Sequence, residues 1–510
     1  MSDAREQQLL EEIARLRAEN EMLRQKVDLI LRKLFGAKSE TLDASQLELL
    51  LDPDSAKKDL AADPEDRGPA ADTAIKKTAG KRTPRDLSNL EVREETLVPA
   101  SVKANPDAFR KINEVHTDRF NYQRAKVFIE RTIRPVYVRH ADPDATPFKA
   151  PAPPALRPGL KAAPELLAHI LVAKFCDHLP FYRQESIFRS RFGVEIPRNT
   201  LCNWAGYAAD ALEPLSKLIH SGLLQRSYLQ ADETPIRYLD PGRGRCARGY
   251  FWVLRGPPPK AGKTGDDIFF QWHSGRGAGC IDHLLGRGAA VALQTDGYAA
   301  YGSWASKLPC IVLIACWAHA RRKFREALDA GQTLAAAPLQ LIQQIYRIET
   351  GLRENGSDVD ECRLVRQAQA APILDRFKTE IVALRKHPGV LPKSSLGKAI
   401  DYTLALWDRL IVYLGDGNIE IDNNGIENVI RPTAVGKKNW LFVGGEETGQ
   451  RSAILYTLIE NARRRGLDPE SYLTDVFKRL PTMTTRDDLG ELLPSRWQAP
   501  GKIQERAHIA

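Results

Sequence analysis

Five short apolar runs between residues 227 and 316 constrain this chain more than anything else in its sequence. They lie at 227–231, 250–255, 267–272, 290–295 and 310–316, rich in β-branched and aromatic residues and separated by Gly and Pro breaks. Runs of that length and composition read as strands. A helical pattern, Cys280 to Leu285, sits between the third and fourth runs, and another, Ala299 to Lys307, between the fourth and fifth. Three strands, helix, strand, helix, strand is the element order of an RNase H-like α/β core.

The expected core spans 225–324 and resumes at 416–445, interrupted by a helical insertion at 325–415 in which Ile342, Ile345 and Leu352 face inward. A C-terminal helical segment follows at 446–482. Such a core places acids on rigid strand ends. Asp232 lies in Leu229-Gln230-Ala231-Asp232-Glu233-Thr234-Pro235, where a carboxylate among apolar neighbours is costly unless a cation or partner meets it. Glu233 points to the opposite face by strand alternation. Asp296 ends the fourth run, and Gly297 after it lets the backbone turn close to a substrate. If the first and fourth strands are neighbours, the two aspartates meet. The third acid is expected beyond the insertion in Asp422-Asn423-Asn424-Gly425-Ile426-Glu427, with Asn423 or Asn424 capping a helix whose first turn carries Glu427. Asp422 and Glu420 rival it on sequence alone. Clustered carboxylates of this kind suit two-metal phosphoryl transfer with Mg2+ or Mn2+, two ions in all.

The amino-terminal third is modular. Residues 5–36 carry a heptad, with Leu9, Leu16, Leu23 and Ile30 at d and Ile13, Asn20, Val27 and Leu34 at a. This pattern predicts a parallel coiled-coil dimer whose register Asn20 fixes. Residues 52–90 read as a disordered linker, 91–140 as a β-rich module ending in the alternating stretch Val127 to Val138, and 141–163 as a Pro-rich linker. Residues 164–220 are helical and contain a helix-turn-helix pattern. Its first helix runs from Phe181 to Phe192 with Tyr182, Ile187 and Phe188 inward, Gly193 turns, and Pro197 opens the second helix. There Leu201 and Trp204 pack back, leaving Arg198, Asn199 and Asn203 exposed to a major groove.

A length of 510 residues implies several domains, and 74 basic against 65 acidic residues allow a nucleic-acid partner without requiring one. Seven cysteines without a C-x-x-C pair argue against a disulfide framework. No signal peptide or membrane-length apolar run is visible, so a cytoplasmic location is expected. Near the acids, His319 is a candidate for the neighbourhood of a scissile phosphate, and Cys316 is read as structural. Arg321, Arg322, Lys323, Arg431, Lys437 and Lys438 are candidate phosphate contacts. Trp440 is read as core.

The motifs "LQADETPIRYL", "LQTDGYAAYG", "CWAHARRKF" and the long run from "IDNNGIENVIRP" to "RRRGLDPESYL" closely resemble bacterial transposases of the insertion sequence sixty-six family. "KLFGAKSE" after the heptad resembles that family's amino-terminal part. The resemblance implies a recombinase with Asp232, Asp296 and Glu427 as its catalytic acids. It also implies metal-dependent cleavage and strand transfer, terminal inverted repeats and target DNA as partners, and small accessory proteins from the same element. A homodimer or higher homo-oligomer is expected. The chain departs from the family at 91–140, which lacks the usual cysteine pairs, with His116 and His140 the only histidines there; no structural zinc is expected. Rival readings are a structure-selective nuclease on the same core and a non-catalytic DNA-binding regulator.

Overall fold

A computed structural model describes residues 126–137, 148–240, 244–258, 265–286, 292–308 and 310–499. The expected coiled coil at 5–36, the linker at 52–90 and most of the module at 91–140 lie outside the described residues. Among the described residues of the alternating stretch Val127 to Val138, only β1 (Val136–Tyr137) is a strand, paired antiparallel with β2 (Phe148–Lys149).

The helical segment follows as α1 (Pro164–Phe175), α2 (Phe181–Ile187) continued by a wide turn to Phe192, and α3 (Arg198–Leu223). Gly193 takes φ 69°, the left-handed conformation that ends the first helix. Pro197 precedes α3, whose Leu201 and Trp204 are buried while Arg198, Asn199 and Asn203 are exposed. Tyr182, expected inward, is exposed; Gln184 is buried in its stead, donating to the Ile170 carbonyl within α1 and to the Leu179 carbonyl at the α1–α2 bend.

The central sheet comprises β3 (Tyr228–Leu239), β4 (Cys246–Gly256), β5 (Asp267–His273), β6 (Ala292–Thr295) and β7 (Val312–Ala315), in the order β5-β4-β3-β6-β7. β5, β4 and β3 pair antiparallel, whereas β3, β6 and β7 run parallel. The parallel strands need crossover helices, supplied by α4 (Ala278–Leu285) before β6 and α5 (Ala299–Ala305) before β7. Each apolar run in the sequence thus became a strand, and β3 and β4 extend well past their apolar parts as a hairpin. The fold is mixed α/β.

Beyond β7 the chain is helical: α6 (Trp317–Asp329), α7 (Ala336–Glu354), α8 (Val359–Val365), α9 (Ala371–Lys386), α10 (Ser395–Ala405) and α11 (Trp407–Leu410). They enclose a second core in which Trp317, Phe377 and Trp407 meet ring to ring, and the Trp317 indole donates to the Leu410 carbonyl at 2.9 Å. Buried Arg366 closes this unit, bidentate on Glu349 and donating to the Tyr413 and Asp416 carbonyls. The chain then returns as α12 (Asn424–Trp440), β8 (Phe442–Val443) beside the far end of β3, α13 (Glu446–Arg464) and α14 (Pro469–Arg479).

β5 is an edge strand, a liability unless covered. α13 covers it through polar side chains. Gln450 accepts from the Trp272 amide, Thr457 from Phe270, and Asn461 both accepts from and donates to Ile268. Alternate outward amides of β5 are thereby satisfied, as a buried backbone demands. This is why α13 is buried on nearly all sides from Ser452 to Ala462.

Candidate active site

The β3–β6 ladder pairs Tyr228 with Ala292, Leu229 with Leu293 and Gln230 with Gln294. The ladder ends two residues short of both Asp232 and Asp296, and the two acids remain close enough for the Asp296 charge to act on the Asp232 carboxyl. Alternation puts both carboxylates on the face carrying Gln230 and Gln294, whose amides are bonded at 2.8 Å. Glu233 occupies the opposite face, buried against α5, where it is paired with Arg276 and accepts from the Tyr301 hydroxyl at 3.2 Å.

Asp296 is set by its own turn: its Oδ1 accepts from the Tyr298 amide at 2.8 Å, and its carbonyl accepts from the Tyr402 hydroxyl at 2.8 Å. Gly297, at φ 87°, lets that turn pass under α10–α11; a Cβ there would stand 2.9 Å from Leu406.

The third acid arrives on α12. The polar loop before it is pinned by a buried network on the same sheet face. Arg255 of β4 donates to Gln230 at 2.6 Å, to both oxygens of Glu420 at 2.7 and 3.1 Å, and to Asp266 at 3.0 Å. Gln230 also donates to Glu420 and to the Asp422 carbonyl, and Gln294 donates to the Glu420 carbonyl at 2.9 Å. Asp422 accepts from the Tyr346 hydroxyl at 2.8 Å and from the Asn424 amide at 3.1 Å. Both sequence rivals of Glu427 are therefore engaged in holding the loop. The cap differs from expectation as well: Asn423 precedes the helix but makes no capping bond and its buried amide atoms have no partner, while Asp422 accepts from the Asn424 amide. Sequence reading missed Arg255, Gln230, Gln294 and Tyr402. A signal existed for the glutamines, since "LQAD" and "LQTD" both carry Gln two residues before the acid.

Glu427 sits in the first turn of α12, half-buried, with its Oε1 3.6 Å from His319 Nε2 and its Oε2 3.5 Å from the Arg322 guanidinium. Its Oε1 is buried without a hydrogen bond. Burial raises the Asp232 carboxyl well above the usual carboxylate range, and the charges of Asp296, Glu233 and Glu427 raise it further. Burial lowers the His319 imidazole, with Glu427 opposing and Arg322 reinforcing, so the ring faces the acid uncharged near neutral pH. The buried Cys316 thiol is pushed up to about 12 by burial and accepts from the Asn423 amide, a structural part.

Among the described residues no three His, Cys, Asp or Glu side chains stand together as a ready metal cage. The three acids nonetheless fit hard divalent ions. They offer oxygen ligands only, the charges of Asp296 and Glu427 raise the proton affinity of Asp232, and one buried Glu427 oxygen is unpartnered.

Of the basic candidates, Arg322 touches Glu427, Arg321 lies over the Tyr346 ring at 5.5 Å and Lys323 over the Tyr402 ring at 4.5 Å. Lys437 donates to the Pro235 carbonyl at 3.2 Å, whereas Arg431 and Lys438 are exposed on α12. Trp440 is partly buried and packs under Gly436, where a Cβ would meet its ring at 2.1 Å. Arg198, Asn199 and Asn203 lie on α3, outside the acid cluster. No helix among the described residues is long and apolar enough to cross a membrane.

Comparison with known proteins adds a family. A family model described as Transposase IS66 family matches residues 159–451, one described as IS66 C-terminal element matches 457–495, and one described as Transposase C of IS166 homeodomain matches 22–94. The uncharacterized protein y4jD of Sinorhizobium fredii is 33% identical over 97% of this chain and 98% of its own length. The uncharacterized protein y4qI of the same organism is 32% identical over 81% of this chain and 78% of its own.

Proposed function

The chain belongs to the IS66 transposase family, and we propose that it cleaves DNA at the ends of an insertion sequence and joins those ends to target DNA. The observation that supports the reading is that Asp232 and Asp296 follow the neighbouring strands β3 and β6 by two residues past their last ladder pair, with the charges of Asp296 and Glu427 both acting on the Asp232 carboxyl. The sheet order β5-β4-β3-β6-β7, with its antiparallel and parallel halves, supports an RNase H-like core.

In this reading a water oxygen displaces the 3′-oxygen at each element end, and the freed 3′-hydroxyl then displaces a target-strand oxygen in line. Every bond formed at phosphorus is matched by one broken. Asp232, Asp296 and Glu427 would hold two Mg2+ or Mn2+ ions, which supply activation of the attacking oxygen and charge relief at the leaving one. The aspartates stay fixed because ladder and turn bonds hold their backbones, while His319 and Arg322 orient Glu427. Arg431, Lys437 and Lys438 line α12 beyond it and steer phosphates, with Arg321 and Lys323 on α6 serving the same strand. Arg198, Asn199 and Asn203 on α3 face terminal repeats. Two protomers would act together on two element ends, with accessory proteins of the element as further partners.

The test uses full-length protein, duplexes from the DNA flanking its coding sequence, and a supercoiled target. We expect cleaved ends and joined products in Mg2+ or Mn2+ and neither with chelator. Hydrolysis without joining would instead favour a nuclease, and DNA left intact in metal a regulator.

A further inference from the structure

A cleft of about 390 Å3 opens one helical turn past Glu427, lined by His178, Asn428, Arg431, Glu460, Arg463 and Arg464 among others. It lies where three separate stretches converge: the α1–α2 bend, α12 and the end of α13. Its charge is not balanced. Arg463 is paired with Glu460 at 2.7 Å and Arg464 with Asp266 at 3.0 Å, but Arg431 is exposed with no partner among the described residues.

Two further features mark a built site rather than a surface accident. His178 holds φ 59°, a left-handed conformation that side chains other than glycine rarely keep without cause. Its Nδ1 and the Arg464 Nε are both buried without hydrogen-bond partners, so the cleft wall carries unmatched polar atoms, the Arg464 Nε–H among them a donor.

We propose that this cleft seats a backbone phosphate of the DNA strand that runs through the acid cluster, gripped by Arg431 and Arg463 against the His178 bend. The inference rests on Glu427 being catalytic. Arg431 follows Glu427 by four residues, ~6 Å along the helix axis. A DNA strand advances ~3.4 Å per nucleotide. For a strand that follows α12, the phosphate in the cleft lies within about two nucleotides of the one being cut. Because it contacts backbone only, the subsite serves every end and target sequence alike, and it links the helical segment holding α3 to the cleavage site.

The experiment is a methylphosphonate scan, in which one uncharged linkage at a time is placed along the terminal-repeat duplex and binding is measured without divalent metal. Three proteins are compared: wild type, Arg431→Gln, and the paired Glu460→Gln/Arg463→Gln, which leaves no buried charge unpaired. Thermal melts check folding, and His178→Gln substitutes for the pair if it does not fold. In wild type, one linkage within about two nucleotides of the cleaved phosphate should weaken binding about tenfold. Both variants should lose sensitivity at that linkage and keep it elsewhere. Wild type that binds the repeat but shows no sensitive linkage there, or variants with the wild-type profile, overturns the cleft alone. Wild type that binds no repeat overturns the transposase reading along with it.

Discussion

Asp232→Asn is expected to stop DNA cleavage and, in the metal-free protein, to raise thermal stability. Cleavage should fall about 1,000-fold or more, because a lost metal-binding carboxylate removes several kcal/mol of charge stabilisation in the transition state, while binding to element ends persists. The stability gain follows from electrostatics. Asp232 is half-buried beside Asp296, Glu233 and Glu427, and its folded-state proton affinity is raised. A carboxyl raised on folding gives the native state more bound protons than the unfolded chain. Stability therefore falls as pH climbs from the unfolded to the folded pKa, and the whole cost is present above the latter. Asparagine removes that cost, a gain on the order of 1 kcal/mol. Melting curves with chelator at neutral and mildly acidic pH should show wild type gaining on acidification and the variant lacking that gain. A variant that cleaves like wild type, or melts lower, contradicts the assignment.

The largest loss of stability is expected from Arg255→Leu. This guanidinium is almost wholly buried and bonds Gln230, Glu420 and Asp266 at once. Removing one partner from a buried ionic cluster leaves the others desolvated and uncompensated, typically ~3–5 kcal/mol. The loop that carries α12 loses its anchor in the same step, and Gly425, against which Arg255 packs so closely that a Cβ would sit 2.0 Å from its Nη1, loses its contact. Urea denaturation should show that drop, and cleavage should vanish even below the unfolding transition. A loss under about 1 kcal/mol would mean that solvent screens the cluster.

Much of the core was legible. Apolar runs interrupted by Gly and Pro marked all five main strands, because strands buried on both faces read as near-continuous apolar text. The aspartates were legible as charges in that text. What the sequence hid was polar and long-range. Arg255 and Glu420 lie far apart in the chain and look like ordinary surface charges, yet they meet under the loop before α12. Tyr182 looks apolar enough for a core, but it is Gln184 that turns inward, where its amide donates to the Ile170 and Leu179 carbonyls. Before Glu427, Asp422 rather than either asparagine accepts a helix-start amide, that of Asn424.

The central claim is that three acids distant in sequence act as one metal cradle. Mn2+ binding to full-length protein, followed by the loss of the free-ion electron paramagnetic resonance signal, tests it most directly when wild type is compared with Asp232→Asn, Asp296→Asn and Glu427→Gln. The account predicts saturable binding by wild type that each single substitution weakens about tenfold or more. A Glu427→Gln protein that takes up Mn2+ as tightly as wild type, with the two aspartate variants impaired, would show that the glutamate does not belong to the cradle.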